Sequence, residues 1–211
     1  MGGQQVDFRL YVICDRTQIG DKTLPQFVQE ALAGGVRAFQ LREKDLAAAE
    51  QMRLAQEILP MIRAHGARLF INDRVDLARA VAADGVHLPA SGLPTAVARG
   101  LCDAGQMLAV SCHTCDEVEQ AEAEGADFAV FGPIYDTPSK RPFGPPLGLA
   151  ALRQARAAVS FPLFAIGGIN TTRLAEVFDA GADGVALISE IAHARNVRAQ
   201  CQAFLDRIPR S

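Results

Sequence analysis

No run of apolar residues in this chain is long enough to span a bilayer, and the N-terminal stretch shows no signal-peptide pattern. Neither a membrane partner nor a secretory route is therefore expected, and the protein is expected to be cytoplasmic. Charge of one sign is not in excess either: 21 Lys and Arg stand against 24 Asp and Glu, a formal net charge of -3. That argues against a basic surface for nucleic acid. Cysteine is scarce and odd in number, five scattered through apolar context, which suits a reducing compartment and not a disulfide framework. Cys112-His113-Thr114-Cys115 has redox spacing, but no thioredoxin-like context surrounds it and no second pair completes a zinc site. Its cysteines are expected to be structural. Linkers and low-complexity tracts are absent as well. With 211 residues and 49% hydrophobic content, the chain is long enough for one well-buried core, so residues 1–211 are expected to form a single domain.

What the chain does contain is a repeat. Ala33-Gly34-Gly35-Val36-Arg37-Ala38-Phe39-Gln40-Leu41 reads as a helix end, a Gly turn and a strand. The pattern returns at Ala82–Leu88, at Glu124–Phe131 and at Ala180–Leu187, mostly through an Ala-Asp-Gly or Ala-Asp core. Arg9–Cys14, Ala67–Ile71, Met107–Ser111 and Leu163–Ile166 supply further apolar strands. About eight strands, each followed by a helical pattern, predict an α/β protein built as a (β/α)₈ barrel. An open doubly wound sheet is the other arrangement such alternation allows, but no glycine fingerprint follows the first strand. The Ala-Asp-Gly copies are expected to be helix C-caps and tight turns at the structural end of each unit. The first helix should start near Thr23, with Pro25 in its first turn, and stop at Gly34-Gly35.

The most informative stretch is Leu163–Asn170, an apolar strand that breaks into Gly167-Gly168. Glycine there permits a sharp turn and close approach of a ligand. Asn170 or Thr171 is expected to cap the helix carrying Leu174, Val177 and Phe178. A strand, a Gly turn and a helix N-terminus together favour an anion. The next unit ends in Ile188-Ser189-Glu190, so the last two units match the phosphate seat of a barrel. A plain tight turn at Gly167-Gly168 is the simpler alternative.

The C-terminal ends of barrel strands converge on one mouth, where chemistry is kept. Strand 2 brings Gln40, Arg42 and Lys44, which strand-like alternation would aim to one side. Strand 3 brings Asn72 and Asp73, strand 4 His87, and strand 5 Ser111 and His113. The irregular, proline-rich stretch from Pro133 to Gly148 adds Thr137, Ser139 and Lys140, and suits a binding loop or lid. Alone, Arg42-Glu43-Lys44-Asp45 would equally suit a solvated charge cluster, and Asp73 a helix cap. Their joint placement suits a diphosphate leaving group, whose developing charge needs fixed donors and a divalent metal. Asp73 is the natural hard-oxygen ligand for Mg²⁺. His65 and His193 fall on helical segments and are expected at the surface or in packing.

Gln40-Leu41-Arg42-Glu43-Lys44, Asn72-Asp73, Gly132-Pro133-Ile134-Tyr135 with Thr137 to Lys140, and Ile166-Gly167-Gly168-Ile169 resemble the thiamine phosphate synthase/thiazole tautomerase superfamily. The resemblance covers nearly the whole chain and implies a (β/α)₈ barrel. Its synthase branch joins hydroxymethylpyrimidine diphosphate to thiazole phosphate and releases pyrophosphate. It implies that Arg42, Lys44 and Lys140 bind diphosphate, that Gln40 and Asn72 bind the pyrimidine, and that Asp73 binds Mg²⁺. Ser111 would lie close to the reacting groups. Thr137, Ser139, Gly167, Gly168, Ile188 and Ser189 would seat the thiazole phosphate. Partners would then be small molecules only, with a homo-oligomer left open.

One departure bears on the branch. Synthases usually carry His-Leu-Gly-Gln-Glu-Asp after strand 4, the Asp being a second Mg²⁺ ligand, whereas this chain reads His87-Leu88-Pro89-Ala90-Ser91-Gly92. The tautomerase branch, which aromatises a thiazole carboxylate phosphate, resembles that loop more closely, and its acid/base histidine matches His113. Synthases often have a histidine there too, and Lys44, Asn72 and Asp73 would be excess equipment for a tautomerase, so the synthase reading is favoured; a ligand-binding regulator is the third reading.

Overall fold

The computed structural model describes residues 5–137, 141 and 144–209. Eight strands, all parallel, close into a barrel in chain order: β1 (Leu10–Cys14), β2 (Ala38–Leu41), β3 (Arg68–Asn72), β4 (Gly85–Leu88), β5 (Met107–Cys112), β6 (Phe128–Phe131), β7 (Leu163–Ile166) and β8 (Gly184–Leu187). Closure is made by β1 against β8, with Leu10 opposite Val185 and Val12 opposite Leu187. The helices are α1 (Leu24–Ala33), α2 (Ala48–Ala64), α3 (Val75–Ala80), α4 (Thr95–Leu101), α5 (Cys115–Ala123), α6 (Gly148–Ala158), α7 (Leu174–Asp179), α8 (Ser189–Ala192) and α9 (Val197–Leu205). None of the described helices is long and apolar enough to cross a membrane.

The expected start of α1 is met by a capping box, in which Thr23 accepts from the Gln26 amide and Gln26 reaches back to the Thr23 amide. The expected cap of α7 is displaced. Asn170 Oδ1 accepts from the Thr172 and Arg173 amides, at 3.1 and 3.2 Å, but closes a turn, and the helix begins only at Leu174. Asn170 satisfies the amides of that turn locally, which a side chain of its type does as readily as it caps a helix.

The repeated aspartates are more than turn residues. Asp84, Asp127 and Asp183 each lie just before a strand, and each accepts a backbone N–H from one of the first two residues of the strand before it. The donors are Leu69, Leu108 and Leu163, at 2.8, 2.7 and 2.8 Å. Arg99 and Arg156 pair with Asp127 and Asp183 from the outside. The side chain thus satisfies an amide that a strand start would otherwise leave open.

Glycine after the aspartate serves the barrel interior. Phe8, Tyr11, Phe70, Phe128 and Phe164 fill the bore, with centroids 5.2 to 6.5 Å apart in mostly tilted or edge-on contacts. A Cβ on Gly85 would sit 2.6 Å from Phe70 Cε1, and Gly184 is similarly crowded by Phe164. Large rings face missing side chains on the neighbouring strand, which is how a narrow bore is filled. A larger apolar shell, including Phe27, Ile58, Leu152 and Phe204, packs the helices on the outside of the strands.

Candidate active site

The aromatic layer floors the bore, and the polar side chains from the strand ends stand above it. Gln40 of β2 is buried and donates from Nε2 to Asn72 Oδ1 of β3 at 3.2 Å. The pair is brought together by adjacent strands in register, Gln40 opposite Phe70 and Leu41 opposite Ile71. Arg42 follows and pairs with Asp15 Oδ2 at 3.3 Å. Burial pushes the Asp15 carboxyl up, but hydrogen bonds from Thr17 and Gln18 and the Arg42 charge outweigh it and hold the group below its usual range.

Lys44 lies beyond the strand. β2 ends at Leu41, so alternation does not extend to Lys44, which lies exposed in a bend of the following loop. Glu43 instead turns into the protein. Its Oε1 accepts the Arg16 amide at 2.8 Å, and Oε2 lies 3.3 Å from Arg16 Nε without a hydrogen bond. Burial raises the Glu43 carboxyl despite Arg16. Glu43 therefore ties the loops after β1 and β2 together behind Arg42.

Asp73 is exposed, with its backbone in the left-handed region at φ 65° and its amide bonded to the His87 carbonyl at 2.9 Å. It is not a helix cap, because Arg74 occupies that position before α3 and makes no side-chain cap bond. Aspartate tolerates this conformation better than most residues. Gly92 lies beside it, and a Cβ there would sit 3.0 Å from Asp73 Oδ1. No group of three or more potential metal ligands occurs among the described residues. One exposed carboxylate fits a Mg²⁺ held mainly by substrate oxygens and water, and fits poorly a metal bound by protein alone.

Ser111, half-buried at the end of β5, is hydrogen-bonded to His87 Nε2 at 2.8 Å. His87 Nδ1 in turn meets the Tyr11 hydroxyl at 3.2 Å, and both His87 and Tyr11 are buried. Burial, with Arg42 nearby, lowers His87 to about 3, so its ring is neutral. The sequence shows His87 at a strand end but offers no signal that Tyr11 reaches it. His113 lies just beyond β5, and its Nδ1 contacts the Gly132 carbonyl. A carbonyl only accepts, so Nδ1 carries the proton and Nε2 is left as a base. Burial pushes the Cys112 thiol up to about 12, with Glu117 adding to it, and both Cys112 and Cys115 are free. That arrangement suits packing and not redox chemistry.

The side of the β7 turn on which Cβ atoms would stand is filled by protein. The Ile134 amide donates to the Ile166 carbonyl at 2.8 Å, and the Tyr135 amide to the Gly167 carbonyl at 3.0 Å. Added Cβ atoms on Gly167 and Gly168 would meet Pro133 and Tyr135 at 2.6 and 2.8 Å. The turn therefore seats the β6 loop, and Thr137 follows with its hydroxyl on the Tyr135 carbonyl at 3.0 Å. Since α7 starts six residues after Gly168, the expected helix terminus directly behind the glycines is not there. At β8 the expected order does hold, with Ile188 preceding α8 and Ser189 opening it. An open cavity of about 660 Å³ lies beside Ser189, lined also by His193, Asn196 and Gln200. His193, expected at the surface or in packing, lies exposed just after α8. Ser139 and Lys140 lie outside the described residues.

A family model described as thiamine monophosphate synthase matches residues 10–191. The chain is 44% identical over 202 residues to a thiamine-phosphate synthase of Moorella thermoacetica, covering 96% of each chain. It is 41% identical over 201 residues to a thiamine-phosphate synthase of Methanospirillum hungatei, covering 95% of this chain and 98% of the other. Among solved structures, thiamine phosphate pyrophosphorylase from Pyrococcus furiosus superposes with a TM-score of 0.86 at 33% identity, covering 94% of both chains. With the barrel, its polar mouth and matches over nearly its whole length, this chain belongs to the thiamine monophosphate synthase family of transferases.

Proposed function

We propose that this protein is a Mg²⁺-assisted thiamine-phosphate synthase that couples hydroxymethylpyrimidine diphosphate to thiazole phosphate. The observation that carries the reading is the set Gln40, Asn72, Arg42 and Asp73 at one barrel mouth, in a chain similar over 96% of its length to a protein of that name. The bond between the pyrimidine methylene carbon and the diphosphate oxygen breaks, and its electron pair leaves with pyrophosphate. The ring delocalises the resulting cation, and the thiazole nitrogen lone pair forms the new C–N bond. No covalent enzyme intermediate is needed.

The residues divide the work accordingly. The Gln40 and Asn72 amides offer donors and acceptors to the pyrimidine edge. Arg42, with Lys44 and Lys140, meets the departing diphosphate, where fixed charge counts most. Ser111 approaches the reacting groups. Thr137, Ser139, Gly167, Gly168, Ile188 and Ser189 receive the thiazole phosphate. When bound, Mg²⁺ neutralises diphosphate charge, with Asp73 as its protein ligand. The substrates are small molecules, and a cytoplasmic setting without nucleic acid or membrane agrees with the balanced charge.

A coupling assay with both phosphorylated substrates, with and without Mg²⁺, tests the reading, and formation of thiamine phosphate and pyrophosphate only with metal is expected. The Gly92 position and the free Nε2 of His113 favour a second reading, tautomerisation of a thiazole carboxylate phosphate. Metal-independent isomerisation without coupling would establish that alternative, and binding without turnover would indicate a regulator.

A further inference from the structure

Tyr11, His87 and Ser111 form a hydrogen-bonded chain from the aromatic floor to the barrel mouth, at 3.2 and 2.8 Å. Its proton order follows from what each group can do. Tyr11 is fully buried with its ring against Phe70, Phe128 and Phe164, and the contact with His87 is the one hydrogen bond its hydroxyl makes among the described residues. If Tyr11 accepted from His87 Nδ1–H, its own proton would be buried without a partner, which costs more than the bond is worth. Tyr11 therefore donates to Nδ1. A neutral ring then carries its proton on Nε2, which donates to Ser111 Oγ.

We propose that His87 is a positioning residue, held by Tyr11 as the Nε2–H tautomer so that the Ser111 hydroxyl proton is turned outward as a donor to an acceptor atom of the bound substrate. The same order prevents His87 from drawing the proton off Ser111, so Ser111 binds and does not attack. The chain spans β1, β4 and β5, and none of its bonds depends on a loop.

The tautomer is read directly by NMR of the full-length protein labelled with ¹⁵N-histidine, the His87 resonances being assigned by their absence in His87→Gln. A protonated Nε2 and a bare Nδ1 are expected at about pH 7. A proton on Nδ1, or on both nitrogens, overturns the proposal. The kinetic arm rests on the coupling reading. His87→Gln keeps an N–H near Ser111 and should stay within about threefold of native kcat, whereas His87→Met should lose about ten- to hundredfold, as removal of an orienting partner does. Equal losses in both would make His87 a packing residue and overturn its role. Failure of the native protein to couple would overturn the synthase reading and leave the NMR result to decide the tautomer.

Discussion

Gly92 stands against Asp73 so closely that a Cβ on the glycine would lie 3.0 Å from the carboxylate oxygen Oδ1. The loop after β4 thus reaches the carboxylate proposed to hold the metal, and brings no second acid to it. Metal affinity should come chiefly from the diphosphate, since each protein carboxylate offsets part of the cost of dehydrating Mg²⁺. Titration calorimetry should show weak Mg²⁺ binding without substrate, and coupling should require raised Mg²⁺. Gly92→Asp should lower that requirement, while Gly92→Ala, which adds the crowding without the charge, should not. An unchanged Mg²⁺ requirement in Asp73→Asn would remove Asp73 from metal binding.

Glu43 gives a pH-dependent prediction. Its folded-state pKa is raised, by burial against the opposing effect of Arg16, so its ionised form costs stability above the folded value. That cost vanishes below the unfolded value of 4.5. Glu43→Gln removes it, so the Tm of the variant relative to native should be higher at about pH 7 than at about pH 4. A Tm difference that stays constant or reverses would show that Arg16 compensates the buried charge fully.

Gly85 tests the packing of the bore. An added methyl would sit 2.5 Å from the Met107 carbonyl oxygen and 2.6 Å from the fully buried Phe70 ring. Neither can yield without moving a strand, so Gly85→Ala should destabilise by about 1–3 kcal/mol, as overpacking does. Gly100, which has open space around it, is the control. Equal melting temperatures for native and Gly85→Ala would mean the bore can relax.

His113 separates the two reactions. With Nδ1 bound to the Gly132 carbonyl, only Nε2 can move a proton. His113→Asn should lower coupling modestly if the protein is a synthase, since no proton transfer at that position is required. If the protein is a tautomerase, the same variant should lose isomerisation altogether. Both activities are measured on one preparation, and loss of coupling by several orders of magnitude would require a proton transfer that the coupling mechanism does not contain.

Local pattern in the sequence determined the units of this protein. Apolar runs of strand length, the Thr23 cap with its following Pro25, and the glycines at Gly34-Gly35 are short-range signals, and the structure has elements where they fall. The ends of the strands could be read the same way, which is why Gln40, Asn72, Asp73 and Ser111 could be named for one mouth. Alternation could not aim Lys44, because it carries a side chain's direction only while the strand lasts, and β2 stops at Leu41. Tertiary structure alone decided the rest. Glycine at Gly85 is required by a ring from β3, and glycine at Gly167 by the loop after β6, contacts between segments far apart in the chain. The aspartate repeat clamps the start of the neighbouring strand, a role that appears only when the strands are in register. Tyr11, His87 and Ser111 are separated by 76 and 24 positions, and only barrel closure sets their order of hydrogen bonds. Sequence periodicity reports which face a residue takes, whereas the identity of its partner depends on how the strands are stacked around the barrel.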